Sequence, residues 1–289
     1  MQKFFTRLAA RYRAGSIPVS LALLLAAAGV LPLLPDTMLG GVFNPYKTWA
    51  MTVVIAAIAF AGFLAVRFFG RRHGVFVTGA AGGLISSTAV SITISRLWRR
   101  ARQNDARVYA AGIGIACTFM YLRVLLETVI VDPPLAQRLA LAFLAAAAMG
   151  LGLSLWWYLR SPAPPPALDE SGIVHDPLQL SDALKFGILF GIIYGAVAFT
   201  KARYGDLGVY VVAFFSGLTD VDAITLSLGQ AAHAKTLPQH TAAEGIVIAS
   251  VTNSLVKLGI VRWIGGGRLA RPVAVFLPLR LARLPVFCC

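Results

Sequence analysis

Long apolar runs, separated by short clusters of arginine, proline and glycine, set the pattern of this chain. Ile17 to Leu34, Trp49 to Phe69, Val108 to Val131, Leu139 to Tyr158, Leu184 to Thr200 and Ala243 to Trp263 are the clearest. At about 1.5 Å of rise per residue, each covers most or all of a hydrocarbon core of roughly 30 Å, and each predicts a transmembrane helix. The punctuation between them is informative. Pro35-Asp36, Asn44-Pro45-Tyr46-Lys47 and Asp132-Pro133-Pro134 read as outer turns, and Arg67, Arg71 and Arg72 read as a cytoplasmic edge. Trp156-Trp157-Tyr158 with Arg160 reads as an interfacial anchor.

Two further runs have the length of a span without its chemistry. Val75 to Ser95 carries Gly79, Gly82 and Gly83 followed by Ser86-Ser87-Thr88, poor material for a rigid lipid-facing helix. If it crossed, the loop bearing Arg96, Arg99, Arg100, Arg102 and Arg107 would lie outside, against the positive-inside rule. A broken or re-entrant helix that returns to the cytoplasm resolves both difficulties, provided its neighbours cover the irregular backbone. The second run, Leu207 to Leu228, places Asp220 and Asp222 in an otherwise apolar stretch, directly after Ser216-Gly217-Leu218-Thr219.

The first of these runs is a faint copy of the second. Gly74-Val75-Phe76-Val77 through Gly83-Leu84 to Ala89 aligns without gaps on Gly208-Val209-Tyr210-Val211 through Gly217-Leu218 to Ala223. The likeness extends into the next span, where Gly112, Ile113, Ile115, Ala116 and Leu122 match Gly245, Ile246, Ile248, Ala249 and Leu255. The first repeated glycine precedes the later one by 38 residues in one half and 37 in the other. In this register Ser86 stands opposite Asp220, and Thr88 opposite Asp222. With both glycine-rich segments re-entrant, each half makes an odd number of crossings and the halves are inverted, an arrangement that builds a midplane site from broken helices. Full crossings would make the halves parallel; the arginine pattern favours inversion.

The predicted organisation is therefore all-α, a polytopic helical membrane protein with about seven to nine membrane segments. Residues 1–45 form a basic lead (Lys3, Arg7, Arg11, Arg13) and first helix, with a cytoplasmic N-terminus. Residues 46–160 are the first half, 161–182 a proline-rich polar linker, and 183–289 the second half with an irregular tail. Pro272, Pro278, Arg280, Arg283 and Pro285 make the stretch from Arg271 to Cys289 an interfacial tail rather than a span.

Composition fits this class. The chain is 58% hydrophobic and only 13% charged, too few charges for a soluble domain of 289 residues. Its net charge of +14 sits at the ends of apolar runs, as anionic headgroups would select, so nucleic acid is not an expected partner. Cys117, Cys288 and Cys289 offer neither a disulfide framework nor metal-ligand spacing, and His73, His175, His233 and His240 fall in expected loops.

The candidate chemistry rests on Asp220 and Asp222. Buried carboxylates persist only beside a cavity, a partner charge or an ion. On a regular helix two residues apart they would diverge, whereas an unwound segment after Gly217 lets them converge. Thr219, Thr225 and Asn253, with Ser86, Ser87 and Thr88 from the copy, complete an all-oxygen set suited to a monovalent or divalent cation, with Asp220 and Asp222 as the metal ligands, or to protons. Lys257 and Arg123 are the candidate charge partners, and Arg123 with Glu127 at i, i+4 reads as an internal helix pair. An intramembrane aspartyl hydrolase needs carboxylates on separate elements, and here both lie on one, so no enzyme is expected. The open choice is between a cation- or proton-coupled transporter-like module and a non-transporting subunit or regulator whose charges dock a partner.

Gly82-Gly83-Leu84-Ile85-Ser86-Ser87-Thr88-Ala89, the phrase Arg123 to Pro134, Ser216 to Thr225 and Asn253-Ser254-Leu255-Val256-Lys257 together resemble the bacterial MgtC/SapB-associated membrane domain, domain of unknown function 4010. The resemblance runs from about Tyr46 to Arg268. It implies a bacterial inner-membrane, multi-pass protein surrounded by lipid, acting as a homo-oligomer or beside an MgtC-like partner. This chain lacks the MgtC-like helical signature that usually precedes the domain, so a magnesium-related role does not carry over with the resemblance.

Overall fold

The computed structural model describes residues 21–22, 24–37, 44–100, 105–160 and 180–276; over these the chain is helical, with no strand. A short apolar helix α1 (Leu24–Leu33) precedes α2 (Pro45–Arg100), α3 (Ala106–Val131) and α4 (Pro133–Leu159). Then follow α5 (Leu180–Thr219), α6 (Asp222–His233), α7 (Gln239–Gly265) and α8 (Gly267–Ala274). Pro45–Leu64, Ala106–Val131, Pro133–Leu159 and Gln239–Gly265 are long and apolar enough to cross a membrane. The protein is an all-α helical membrane protein. The basic lead at 1–13, most of the linker and the tail beyond 276 lie outside the described residues.

Local chemistry sets the helix ends. Asp132 caps α4 by accepting from the Leu135 amide, with Pro133 and Pro134 in the first turn where a missing N–H costs nothing. Asp105 does the same for α3 through the Arg107 amide. The loop between α6 and α7 is shorter than the polar run from Gln230 to His240 suggests. Helix α6 continues to His233 and α7 starts at Gln239, so His233 and His240 are helical, as is the backbone at His73. Apolar packing on both sides pays no heed to those polar residues; Ala231, Ala232, Ala242 and Ala243 are all in the core.

Two of these runs fold back on themselves. A Cβ added at Gly62 would lie 2.7 Å from the Cβ of Leu84, residues that a straight helix holds about 33 Å apart. The chain therefore reverses between Leu64 and Gly79. In α5 the reversal is at Gly205, whose φ of 63° only glycine adopts readily, and Gly208 returns against the backbone of Thr200.

After each reversal comes a helical hairpin. Gly79 and Gly83 press onto Gly112 and Ala116, with an added Cβ at Gly83 only 2.7 Å from the Ala116 Cα. Contacts in that order mean the chain runs parallel to α3. Continued straight, it would carry Trp98 about 22 Å past Gly83. Instead the Trp98 ring meets Tyr109 edge-on, 5.4 Å between centroids, two turns back toward the start of α3. The second half repeats the path. Ala213 and Gly217 lie on Gly245 and Ala249, the helix breaks at Asp220–Val221, and Leu228 then comes back to Gly245. Each hairpin leaves by the end at which it entered. The sequence register pairs Gly83 with Gly217 and Ala116 with Ala249, so one glycine-on-alanine backbone contact occurs in both halves.

The hairpins enter from opposite ends. The Trp98 indole, at the open end of the first, donates to the Gly265 carbonyl at the end of α7 (3.0 Å). Val131, at the end of α3, packs on Gly229 near the open end of the second hairpin, and Asp132 accepts from Gln239 (2.8 Å). Helices α3 and α7 are thus antiparallel and the halves form an inverted repeat. At its centre the Tyr121 and Ser254 hydroxyls, register partners of one another, are 2.9 Å apart. Small residues permit this close approach, as in membrane helix packing generally.

Candidate functional site

The hairpin tips meet half-way along the bundle, and Arg123 of α3 joins them. Its Nη1 donates to the carbonyls of Leu84 (3.1 Å) and Ile85 (3.2 Å) at the first tip. Its Nη2 bonds and ion-pairs with the Asp222 carboxylate at the second. Its Nε donates to Glu127 Oε1 at 3.0 Å, one turn along the same helix. A planar fork with several fixed donors suits this task, which a lysine point charge could not perform. Arg123 is 8% exposed, Asp222 5% and Glu127 0%, so the cluster is shielded from bulk water.

Each tip frees backbone groups that must be satisfied internally. At the first, the two carbonyls go to Arg123, and the Ser86 hydroxyl accepts from the Ala89 amide (3.2 Å) in the manner of a helix N-cap. At the second, Asn253 Nδ2 donates to the Gly217 carbonyl (3.1 Å), and Asp220 Oδ1 accepts from the Val221 amide (2.8 Å). Two half-helices end and two begin at the same place, which brings backbone dipoles of both signs to one point. The Oε2 of Glu127 is buried with no hydrogen-bond partner. Lys257, on α7 one turn past Asn253, is 2% exposed, and its ammonium donates to the Met120 thioether at 2.7 Å.

A family model for a domain of unknown function (DUF4010) matches residues 53–265, which takes in both hairpins, both central helices and every residue of this cluster. The chain belongs to the DUF4010 family. A protein of Aquifex aeolicus (strain VF5), described as an uncharacterized protein, is 30% identical over 197 residues, 68% of this chain and 84% of that one. No solved structure matches.

Within this DUF4010 chain, the residues singled out from sequence fall into two groups. Asp222, Asp220, Asn253 and Ser86 line the tips, Asp222 in an ion pair and the others in the backbone bonds just described. The Thr219 and Thr225 hydroxyls serve their own helices. Thr219 is exposed and donates to the Ser216 carbonyl, while buried Thr225 donates to that of Val221. Ser87 is buried, its carbonyl accepting from Ser91, and Thr88 is half-buried. Asp220 and Asp222 do not converge on one atom. The described residues include no group of three or more His, Cys, Asp or Glu side chains placed to hold a metal ion.

Sequence reasoning named Arg123 as a charge partner of the aspartates and as an internal pair with Glu127, but missed its bonds to the Leu84 and Ile85 carbonyls and so its role as the link between tips. No spacing signal points to those two carbonyls, since backbone acceptors at a distant turn leave no mark in side-chain pattern. Tyr121 and Met120 were also missed; the repeat register, which sets Tyr121 opposite Ser254, was the available clue. A second polar group sits at the open end of the hairpin formed by α5 and α6. Asp206 pairs with Lys201 and accepts from Thr241 (3.0 Å), and Tyr210 bonds Glu244, which ties α5 to α7. The hydrogen bond from Lys201 holds the Asp206 carboxyl below the usual carboxylate range.

Proposed function

We propose that the protein is a transporter-like module of the bacterial inner membrane, coupled to a cation or to protons, with its N-terminus in the cytoplasm. The observation that carries this reading is the meeting of two helical hairpins, entering from opposite ends of an inverted repeat, at one buried charge cluster. Such a site lies at the pivot of two interchangeable halves, where a small displacement of either tip opens it toward one side only. Asp222, Asp220 and Glu127 are the carboxylates through which an ion or proton would act, and Arg123 is the group that such an ion would release from the tips.

The test is thermal unfolding of the detergent-solubilised protein with magnesium, calcium, sodium or potassium, and across about pH 5 to 8. Wild type should be stabilised by one of these ions or by a pH change. Asp222→Asn should lose the response while remaining folded, and Asp220→Asn should weaken it. Absence of any response in wild type would sink the coupling.

One observation favours a second reading, a non-transporting membrane subunit or regulator. Asp222 already has a counter-charge in Arg123 and so requires no ion. On that reading the cluster is structural, and the same ion and pH series leaves wild type unmoved.

A further inference from the structure

One oxygen of the cluster lacks what an ionised carboxylate requires. Glu127 is 0% exposed, its Oε1 accepts from Arg123 Nε at 3.0 Å, and its Oε2 is buried with no hydrogen-bond partner. Arg123 turns its other donors elsewhere, Nη1 to the Leu84 and Ile85 carbonyls and Nη2 to Asp222. An ionised carboxylate spreads its charge over both oxygens, and burying one of them without a donor is costly. A proton on Oε2 removes that charge. A metal ion fits less well, because it needs several oxygens turned to one point. The described residues hold no group of three or more His, Cys, Asp or Glu side chains so placed.

The charges around Glu127 point the same way. Arg123 lies on its own helix, Asp220 and Asp222 stand at the second tip, and Lys257 of α7 acts on both aspartates through space. The first tip brings its carbonyls and the Ser86 hydroxyl. Arg138 of α4 is exposed, and Asp132 at the end of α3 is bonded to Gln239 and the Leu135 amide. Three carboxylates of the cluster thus share two cations, so at least one proton is needed to make the set neutral. Of the two carboxylates on Arg123, Asp222 is the better placed to stay ionised. It has the ion pair to Nη2 and opens α6, where the helix dipole favours negative charge. Glu127 lies toward the C-terminal end of α3 and has no such help.

We infer that Oε2 of Glu127 binds an exchangeable proton and that this proton is the coupling ion. The step is acid–base chemistry: the O–H bond forms as a proton arrives from water on one side and breaks as it leaves to water on the other. An ionised Glu127 competes with Asp222 for one guanidinium, so gain or loss of the proton changes what Arg123 holds at the tips. The inference rests on the transporter reading for the proton's role in coupling, although the proton site itself is tested separately.

The experiment is thermal unfolding of the purified full-length protein as a function of pH. A proton held by the fold and released by the unfolded chain stabilises at the acid end, so wild type should lose several degrees of Tm from about pH 5 to 8. Glu127→Gln, whose amide stands in for the protonated acid, should match wild type at the acid end and then hold its Tm. Asp222→Asn, which removes the ionised partner, should have a lower Tm than wild type at the acid end. The reverse order, with Asp222→Asn like wild type and Glu127→Gln lowered, puts the proton on Asp222 and overturns the inference. A decline retained in Glu127→Gln overturns it as well. Should Glu127→Gln fail to fold, infrared spectra of wild type decide. The carbonyl band of a protonated carboxyl should be present at the acid end, fade as pH rises, and shift in protein carrying isotope-labelled glutamate; an unshifted band, or none, overturns the proposal. A response to sodium, potassium, magnesium or calcium with no response to pH removes the proton site and leaves coupling to a cation intact. No response to either removes both.

Discussion

Set side by side, the hairpin that turns at Leu84–Ser86 and the one that turns at Asp220–Val221 share a backbone path and differ in what occupies the turn. Both approach along their own central helix on a glycine, Gly83 on Ala116 and Gly217 on Ala249, and both return to the end from which they came. The first tip is lined by hydroxyls and borrows a guanidinium from α3 for its freed carbonyls. The second carries its own carboxylates and takes an amide from α7. Small residues at the contact are therefore what the repeat preserves as architecture, and the residues at the turn are free to diverge. The divergence is complementary, since the cation that caps one tip is the counter-charge of the other. One side chain, Arg123, thereby couples the positions of two elements that belong to different halves.

The comparison breaks most completely if the hairpins do not enter from opposite ends. A fluorescent protein fused after Arg102 should fluoresce, and alkaline phosphatase inserted at Thr236 should be active, as cytoplasmic and external locations require. The same side for both would remove the inverted repeat.

Next in size is the loss of the shared cation. Arg123→Met leaves Asp222 and Glu127 buried without a partner and should destabilise the protein by about 3–5 kcal/mol. Asp222→Asn in that background should restore part of the loss. Additive effects in the double-mutant cycle, read from thermal unfolding, would show that the pair does not couple the tips.

The architectural likeness is probed at the glycines. Gly83→Val and Gly217→Val each place a side chain against helix backbone and should cost about 1–3 kcal/mol or more, by similar amounts. A large loss at one and none at the other would mean that the two contacts are not equivalent.

At the axis, Tyr121→Phe should cost about 1 kcal/mol and Ser254→Ala more, because the Ser254 hydroxyl also donates to the Ser250 carbonyl, and the double variant should cost little more than Ser254→Ala alone. Independent costs would separate the two hydroxyls.

The smallest effect lies outside the tips. Lys201 lowers the Asp206 carboxyl, so this pair contributes stability above the unfolded value, about pH 3.9, and loses it as pH falls further through the folded value. Asp206→Asn should flatten the fall in thermal stability below about pH 4. An unchanged acid profile would mean that Lys201 and Asp206 do not hold the second hairpin at its open end.

Much of the fold was legible in the order of residues, for reasons that are local or periodic. Apolar runs must be long enough to hide their backbone from lipid, so Ala106–Val131, Pro133–Leu159 and Gln239–Gly265 stand close to where hydropathy puts them. Gly83, Gly217 and the arginines after Ser95 exposed the folded-back segments, because glycine marks close approach and charge opposes translocation. The pairing within the site was decided only in three dimensions. Asp222 bonds Arg123 across 99 residues of sequence, Tyr121 meets Ser254 across 133, and Lys257 reaches Met120 across 137. No spacing rule fixes such contacts, since a buried charge takes whichever donor the packing of separate helices brings within reach. Sequence determined that charges would be buried near Gly217, and the crossing of α3 and α7 determined which partners they take.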